Sequence, residues 1–347
     1  MPIDHDGATA PARRAASRSA QMRRQTRRQI LAAGLAIGVA AALPERIVAQ
    51  STPTSDWSFT DDRGRTVELP GRPERIVAQT TAAASLWDYG VRPIGIFGPS
   101  RTADGTPDFQ AGNLDLDAVE SIGDYGMLDL EKLIALQPDL YVDMAVSDEQ
   151  LWYLTPEELP QVEAIVPTIG IALGQVSMLD SVRRFEELAG HLGADLNAPE
   201  IVAAKADFSA AETDLKNAIA EKPGLTVLVL SPTPDTIYVA TPDYMTDLYY
   251  FRDLGLDVIT PDADEYWELL SWEQLGKYPA DLILIDARDA ALQPDQLAER
   301  DVWNTLPAVQ AGQIGPWYAG RPYSNASISP ILRELTTLIR AARADLV

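Results

Sequence analysis

The sequence contains no cysteine, so disulfides and thiolate metal sites are excluded, and no cysteine is present to carry a lipid. Histidine is nearly absent: the only two are His5 and His191. His5 lies in the N-terminal segment, and His191 sits in the helical run EELAGHLGA, where it reads as a surface or packing residue. There is no GxSxG, no HExxH and no GxxxxGK[ST] loop. Together these absences argue against Ser-His-Asp hydrolases, zinc hydrolases and P-loop nucleotide hydrolases. A carboxylate-based exported hydrolase needs only two acids and stays open. Against it, the acids here fall in turns and helix starts. A surface adhesin or scaffold is a third class.

Basic residues are scarce. The formal charge is −23, and beyond residue 50 the chain holds 20 basic and 48 acidic residues. Such a chain repels polyanions and is not expected to bind nucleic acid. Long apolar runs are also missing. The longest, Ile30–Leu43, has fourteen residues that are all apolar or glycine, too few for a typical membrane span.

That run follows an Arg-rich segment. Paired Arg27 and Arg28 stand just before it, and Ile47-Val48-Ala49 follows it. A basic region, a short apolar region and a small-residue exit predict an export signal over residues 1–50, of the twin-arginine type. The alternatives are a general secretory signal or an uncleaved anchor.

The body of the chain is organised around a repeat. Residues 128–143 read LDLEKLIALQPDLYVD, and residues 270–286 read LSWEQLGKYPADLILID. Glu131 aligns with Glu273, Asp139 with Asp281 and Leu140 with Leu282, all at an offset of 142 residues. A second echo follows, LPQVEAIVP from Leu159 and LPAVQAGQI from Leu306. Each copy reads as a helix, a break and a strand. Units this far apart predict two similar α/β lobes.

Other elements follow in order. WSFT and RTVEL flank Asp61-Asp62-Arg63-Gly64, which predicts a hairpin in which the acids are turn formers. Strands are expected at 75–78, 93–97, 168–172, 225–230, 237–240 and 313–317. Helices are expected at 82–89, 177–192, 244–254 and 331–344. Asn197 is expected to cap a helix running to about Glu221, with Pro199 in its first turn. At 1.5 Å per residue it would be roughly 35 Å long, enough to join two lobes. The boundaries expected are 51–176 for the first lobe, 177–222 for the helical segment and 223–347 for the second lobe.

The hairpin DDRGRTVEL followed by PERIV, the paired units LEKLIALQPDLYV and WEQLGKYPADLILI, and one long helix between them resemble the substrate-binding proteins of ABC importers for ferric siderophores, haem and cobalamin. The resemblance covers nearly all of residues 56–347. It implies two Rossmann-like α/β lobes bridged by a single long helix, with the ligand in the cleft between them. It also implies a non-enzymatic monomer in the periplasm or on the outer face of the cytoplasmic membrane. No cofactor is expected, because the siderophore itself would hold the iron.

In that family one glutamate on each lobe docks onto the permease, and Glu131 and Glu273 hold the matching positions. The cleft is expected at the carboxyl ends of the strands. The expected ligand contacts are Trp87, Arg101, Tyr125, Tyr153, Tyr238, Tyr244, Trp267, Trp317, Arg321 and Tyr323, with Trp152 and Tyr266 in the same loops. Aromatic rings give a bulky chelate rigid contact area, and arginine donates to its oxygens. With only Arg101 and Arg321 assigned to these loops, a ferric hydroxamate is favoured over a strongly anionic tris-catecholate. Haem and cobalamin are the alternatives within the family.

Overall fold

The computed structural model describes residues 56–347. The expected export signal at 1–50 lies outside these residues. The described chain opens with the hairpin, β1 (Trp57–Thr60) and β2 (Thr66–Leu69), paired antiparallel. Then come β3 (Ile76–Gln79), α1 (Thr80–Asp88), β4 (Gly95–Phe97), β5 (Glu120–Ser121), α2 (Leu130–Leu136), β6 (Leu140–Ala145), α3 (Glu158–Glu163) and β7 (Thr168–Ala172). Two helices follow, α4 (Met178–His191) and α5 (Pro199–Ala220). The second half runs β8 (Thr226–Pro232), β9 (Ile237–Ala240), α6 (Thr246–Asp253), β10 (Asp257–Val258), β11 (Trp267–Leu270), β12 (Leu282–Asp286), α7 (Pro294–Leu297), α8 (Pro307–Gln310), β13 (Ile314–Trp317) and α9 (Asn325–Ala341).

The first sheet is wholly parallel, in the order β5-β4-β3-β6-β7. The second has the order β11-β9-β8-β12-β13, with β10 beside the start of β8. Strands β8, β12 and β13 are parallel, while β9 runs antiparallel to both of its neighbours, β8 and β11. The repeat therefore maps onto topology. β6 and β12 each lie between the first strand of their half and the strand that follows the echoed Leu-Pro segment.

Alternation along the strands decides which core each residue enters. Val227, Val229, Leu282 and Leu284 point inward, as do Ile76, Leu140, Val142 and Met144 in the other sheet, and all eight belong to one continuous core. Their neighbours Leu228, Leu230, Ile283 and Ile285 fill a separate layer with Leu275 and Trp303. Val77, Phe97 and Tyr141 fill a third with Leu133 and Leu159. The central core also takes Leu86, Phe185, Phe208, Phe251 and Leu332 from α1, α4, α5, α6 and α9. The two sheets thus share a helical layer, and the described residues form one compact unit.

Helix α5 links the sheets in sequence and lies along α9. Its 22 residues give a length of about 33 Å. Its N-cap is Ala198, with Pro199 in the first turn; Asn197 instead turns its N–H to Asp195. Helix α9 starts six residues before the expected Ile331. Ser324 caps it by accepting from Ser327 N, and Pro330 is accommodated inside it. Trp267, expected in a loop, lies on β11.

Asp61 and Asp62 do more than form a turn. The Asp61 carboxylate accepts Arg63 N, Arg65 N and Gly170 N, and pairs with the buried Arg63 guanidinium at 2.7 Å. Asp62 accepts Ala172 N at 2.8 Å. The outer edge of β7 is thereby covered by carboxylates and is not left as a template for further strand pairing. His191 is an exposed residue in the last turn of α4, edge-on to Phe59.

Candidate functional site

The loops after the parallel strands of the two sheets meet. Thr81 Oγ1 donates to Gly320 O at 2.7 Å, and Tyr323 N donates to Ser85 Oγ at 2.7 Å. Phe109 and Tyr318 meet edge to face at 5.4 Å. The Trp152 ring lies so close to Gly320 that a Cβ there would come within 2.1 Å of it. Gly320 has φ +75°, so glycine is required both for the backbone and for the ring.

Tyr153 is the centre of this junction. Its ring is edge-on to Trp152 at 4.8 Å and to Tyr125 at 6.3 Å. Its hydroxyl donates to Gln110 Oε1 at 3.3 Å. Gly98, with φ +115°, sits beneath it: a Cβ there would be 3.4 Å from the Tyr153 ring and 3.5 Å from Gln79 Nε2. Gln79 is oriented by its other amide atom, whose Oε1 accepts Ala82 N at the start of α1. Two amide donors, Gln79 Nε2 and Gln110 Nε2, are buried here without a hydrogen-bond partner. Buried amide donors are rarely left so, and such a pair is suited to oxygens brought by a ligand.

Arg288 approaches from the loop after β12. Its Nε contacts both carboxylate oxygens of Asp286 at 3.0 Å, and Ser231 Oγ donates to the same carboxylate at 2.8 Å. Burial works against the Arg288 charge, but Asp286 outweighs it and the guanidinium is held more firmly protonated than usual. Burial pushes the Tyr153 hydroxyl up, with Arg288 pulling the other way. Asp108, at the start of the Phe109 turn, is also pushed up by burial, opposed in part by Arg288. The junction therefore combines a cation, neutral amide and phenol donors, and three aromatic rings.

The remaining expected contacts are dispersed. Tyr125 is exposed beside Tyr153. Arg101 is exposed on the 98–113 loop, with its guanidinium on Gly105 O and Asp117. Trp87 lies in the last turn of α1, under the Arg92 guanidinium at 4.1 Å. Tyr238, Trp267 and Trp317 form a second aromatic set, with centroids 6.1 and 5.8 Å apart. Tyr244 donates to Asp264 O at 2.6 Å and tilts against Tyr266.

Trp317, Arg321 and Tyr323 are buried. Trp317 Nε1 and Arg321 both bind Asp247 Oδ2, at 2.6 and 2.7 Å, and Tyr323 shares a hydrogen bond with Thr246 at 2.9 Å. The Arg321 charge is thus spent on Asp247 beneath the surface. Arg288, Gln79 and Gln110 were missed in the sequence. Arg288 is two residues past the repeated strand β12, whereas only the loops of Arg101 and Arg321 were expected to supply an arginine to the cleft. The repeat marked that loop.

Glu131 lies exposed in the first turn of α2, after the capping Asp129. Glu273 is exposed in the first turn of the 3-10 helix Trp272–Lys277. Among the described residues no cluster of three or more histidine or acidic side chains could hold a metal ion, and no helix is long and apolar enough to cross a membrane.

This chain is similar to several characterised proteins. The ferric-siderophore receptor protein DesE from Streptomyces coelicolor is 38% identical and superposes with a TM-score of 0.79, covering 83% of this chain and 99% of that one. The siderophore-binding protein FhuD from Vibrio cholerae, solved with Fe3+–Desferal, shares the fold at 18% identity and a TM-score of 0.53, over 79% of this chain and 99% of that one. The Fe(3+)-citrate-binding protein YfmC from Bacillus subtilis (strain 168) is 23% identical over 255 residues, 73% of this chain and 76% of that one. Residues 77–317 match the family model for periplasmic binding proteins. On that match, and on two α/β sheets whose strand-end loops meet, the chain belongs to the periplasmic binding protein family.

Proposed function

We propose that the chain captures a ferric siderophore of hydroxamate type between its two sheets and delivers it to an ABC permease in the cytoplasmic membrane. The observation that carries this reading is the 38% identity, over 83% of the chain, to a ferric-siderophore receptor. The site is compatible with it. Tyr153, Gln79, Gln110 and Arg288 supply donors for chelate oxygens, and Tyr125 and Trp152 supply flat apolar area. The iron stays with the chelate, and the protein acts by binding and not by catalysis. The 20 basic and 48 acidic residues beyond position 50 disfavour a tris-catecholate, which carries about three negative charges at the metal. Arg288 and Arg321 do little to offset this, since each is paired with an aspartate.

Glu131 and Glu273 serve as the permease contacts in this reading, one in each half. Charge pairs of this kind set register and association rate. In this reading the Arg27-Arg28 segment directs export, and the protein works outside the cytoplasm as a monomer. Titrations of tryptophan fluorescence with matched ferric hydroxamate, ferric tris-catecholate and ferric citrate test the ligand. The hydroxamate should bind most tightly, and Arg288→Ala and Tyr153→Phe should each weaken it about tenfold, the order of one hydrogen bond to a charged group. Tighter binding of the catecholate or citrate at low salt overturns the ligand class.

A further inference from the structure

We propose that Asp286 sets the charge class of the ligand: it cancels the charge of Arg288 from beneath, so that this arginine serves neutral chelates as a hydrogen-bond donor and does not draw in strongly anionic ones. The proposal rests on the siderophore reading above and assigns its charge selectivity to one positioning residue. Asp286 ends β12 and is 1% exposed. Its carboxylate takes the guanidinium edge-on. Arg288 Nε donates to both oxygens at 3.0 Å, and Nη2 donates to Oδ2 at 2.6 Å. Two neutral donors complete its shell, Arg288 N at 3.1 Å and Ser231 Oγ at 2.8 Å.

The arginine is fixed but not enclosed. Gln293 Nε2 donates to the carbonyls of Asp286, Arg288 and Ala291, at 3.1, 3.3 and 3.1 Å, and so holds the backbone that presents the pair. The Arg288 side chain keeps 18% of its surface. Among the described residues its Nη1 makes no hydrogen bond, and that nitrogen is accessible. One end of the guanidinium is thus committed to Asp286 while the other stays open to a ligand oxygen. An oxygen arriving at Nη1 meets a full hydrogen-bond donor, but the field behind that donor is that of a neutral pair.

The fold does not require a carboxylate at this position. The sequence repeat aligns Leu140 with Leu282, so the place of Asp286 in the first half is that of Met144 (286 − 142 = 144). Met144 is fully buried in the central apolar core. Strand alternation puts Asp286 on the face of Leu282 and Leu284, which enter that same core. A buried carboxylate in an apolar position is costly unless it is paired and hydrogen-bonded. Here it yields a neutralised arginine at a strand end, where α/β sheets hold their ligands. The selectivity follows from the charges. A ferric trihydroxamate is neutral at the metal and keeps the Nη1 hydrogen bond. A ferric tris-catecholate carries about three negative charges there, and Asp286 removes the attraction that would offset its desolvation.

The test titrates the full chain with two probes, a neutral ferric trihydroxamate and a ferric tris-catecholate, and reads the ratio of their affinities. Asp286→Asn keeps the shape and uncovers the Arg288 charge. The ratio should shift towards the catecholate by about tenfold at low salt, and the shift should fade as salt screens it. An Asp286 that only shaped its loop would weaken both probes together and leave the ratio alone. Arg288→Gln gives a second background, with no guanidinium to strand. Adding Asp286→Asn there removes a lone carboxylate and should move the ratio the same way, back close to that of the wild type. A ratio unmoved by Asp286→Asn in either background, where the variant folds, overturns the assignment and leaves the siderophore function standing. Failure of the wild type to bind either probe overturns the siderophore reading and the assignment with it.

Discussion

Asp139 and Asp281, 142 positions apart, hold equivalent places at the feet of the two sheets. The Asp139 carboxylate accepts the N–H groups of Glu74 and Arg75 just before β3. The Asp281 carboxylate accepts the N–H and hydroxyl of Thr226 at the start of β8. In each half the repeated aspartate ties the strand that follows it to the neighbouring first strand. Asp281 is nearly fully buried and also accepts Leu346 N, while Asp139 is half-exposed. Asp281→Ala should therefore cost about 1–3 kcal/mol, the penalty for stranding buried donors, and Asp139→Ala less. Urea unfolding midpoints of the two variants check the order; a larger loss for Asp139→Ala would contradict it.

Asp247 neutralises Arg321 in a site where both side chains are buried. Asp247→Ala leaves a buried guanidinium without its counter-charge, and should cost about 3–5 kcal/mol. Replacing the pair together, Asp247→Leu with Arg321→Met, should recover much of that loss. Thermal unfolding of the single and double variants measures it. Equal losses in both would mean that packing, and not charge, dominates the site.

Burial pushes the Asp143 carboxyl up to about 8, although Met144 N and the Tyr141 hydroxyl both donate to it. In the unfolded chain it would titrate near about 4. Between these values the folded state holds a proton that the unfolded state has lost, so the stabilisation present below pH about 4 declines as pH rises to about 8. Asp108, also raised by burial, acts in the same sense. Asp143→Asn keeps the shape without the charge and should flatten the decline. Urea unfolding of both proteins at pH 5, 6.5 and 8 tests this; an unchanged slope in the variant would remove Asp143 as its source.

Glu131 and Glu273 are exposed, and neither belongs to the Tyr153 junction. Glu131→Ala and Glu273→Ala should leave the affinity for the ferric hydroxamate within about twofold, in line with the small effect of surface charges. Uptake by cells dependent on this protein should fall severely. A large loss of affinity in either purified variant would place these carboxylates at the ligand instead.

The repeat, the hairpin and most helices were legible because periodicity and chain breaks carry them. The starts of α5 and α9 were not. Asn197 has the chemistry of a cap, but its N–H is committed to Asp195, and Pro330 hid a helix that tolerates it. Of the expected aromatic residues, Tyr125 and Tyr153 stand side by side at the candidate site. Trp317 and Arg321 look the same in sequence as ligand contacts would, and only the position of Asp247 puts them underground. Gln79 and Gln110 carry no pattern at all; what marks them is that their amide nitrogens are unpaired.

The core shared by the two sheets has a practical bearing on sensors built from this chain. Because α1, α4, α5, α6 and α9 fill one interior with both sheets, bending one half against the other would open apolar surface to water. Dyes attached to the far ends of the two halves should change their separation little on binding. On the proposed site, a reporter beside Trp152 and Tyr153 would instead feel the ligand's arrival directly, and that junction is where a fluorophore would be placed.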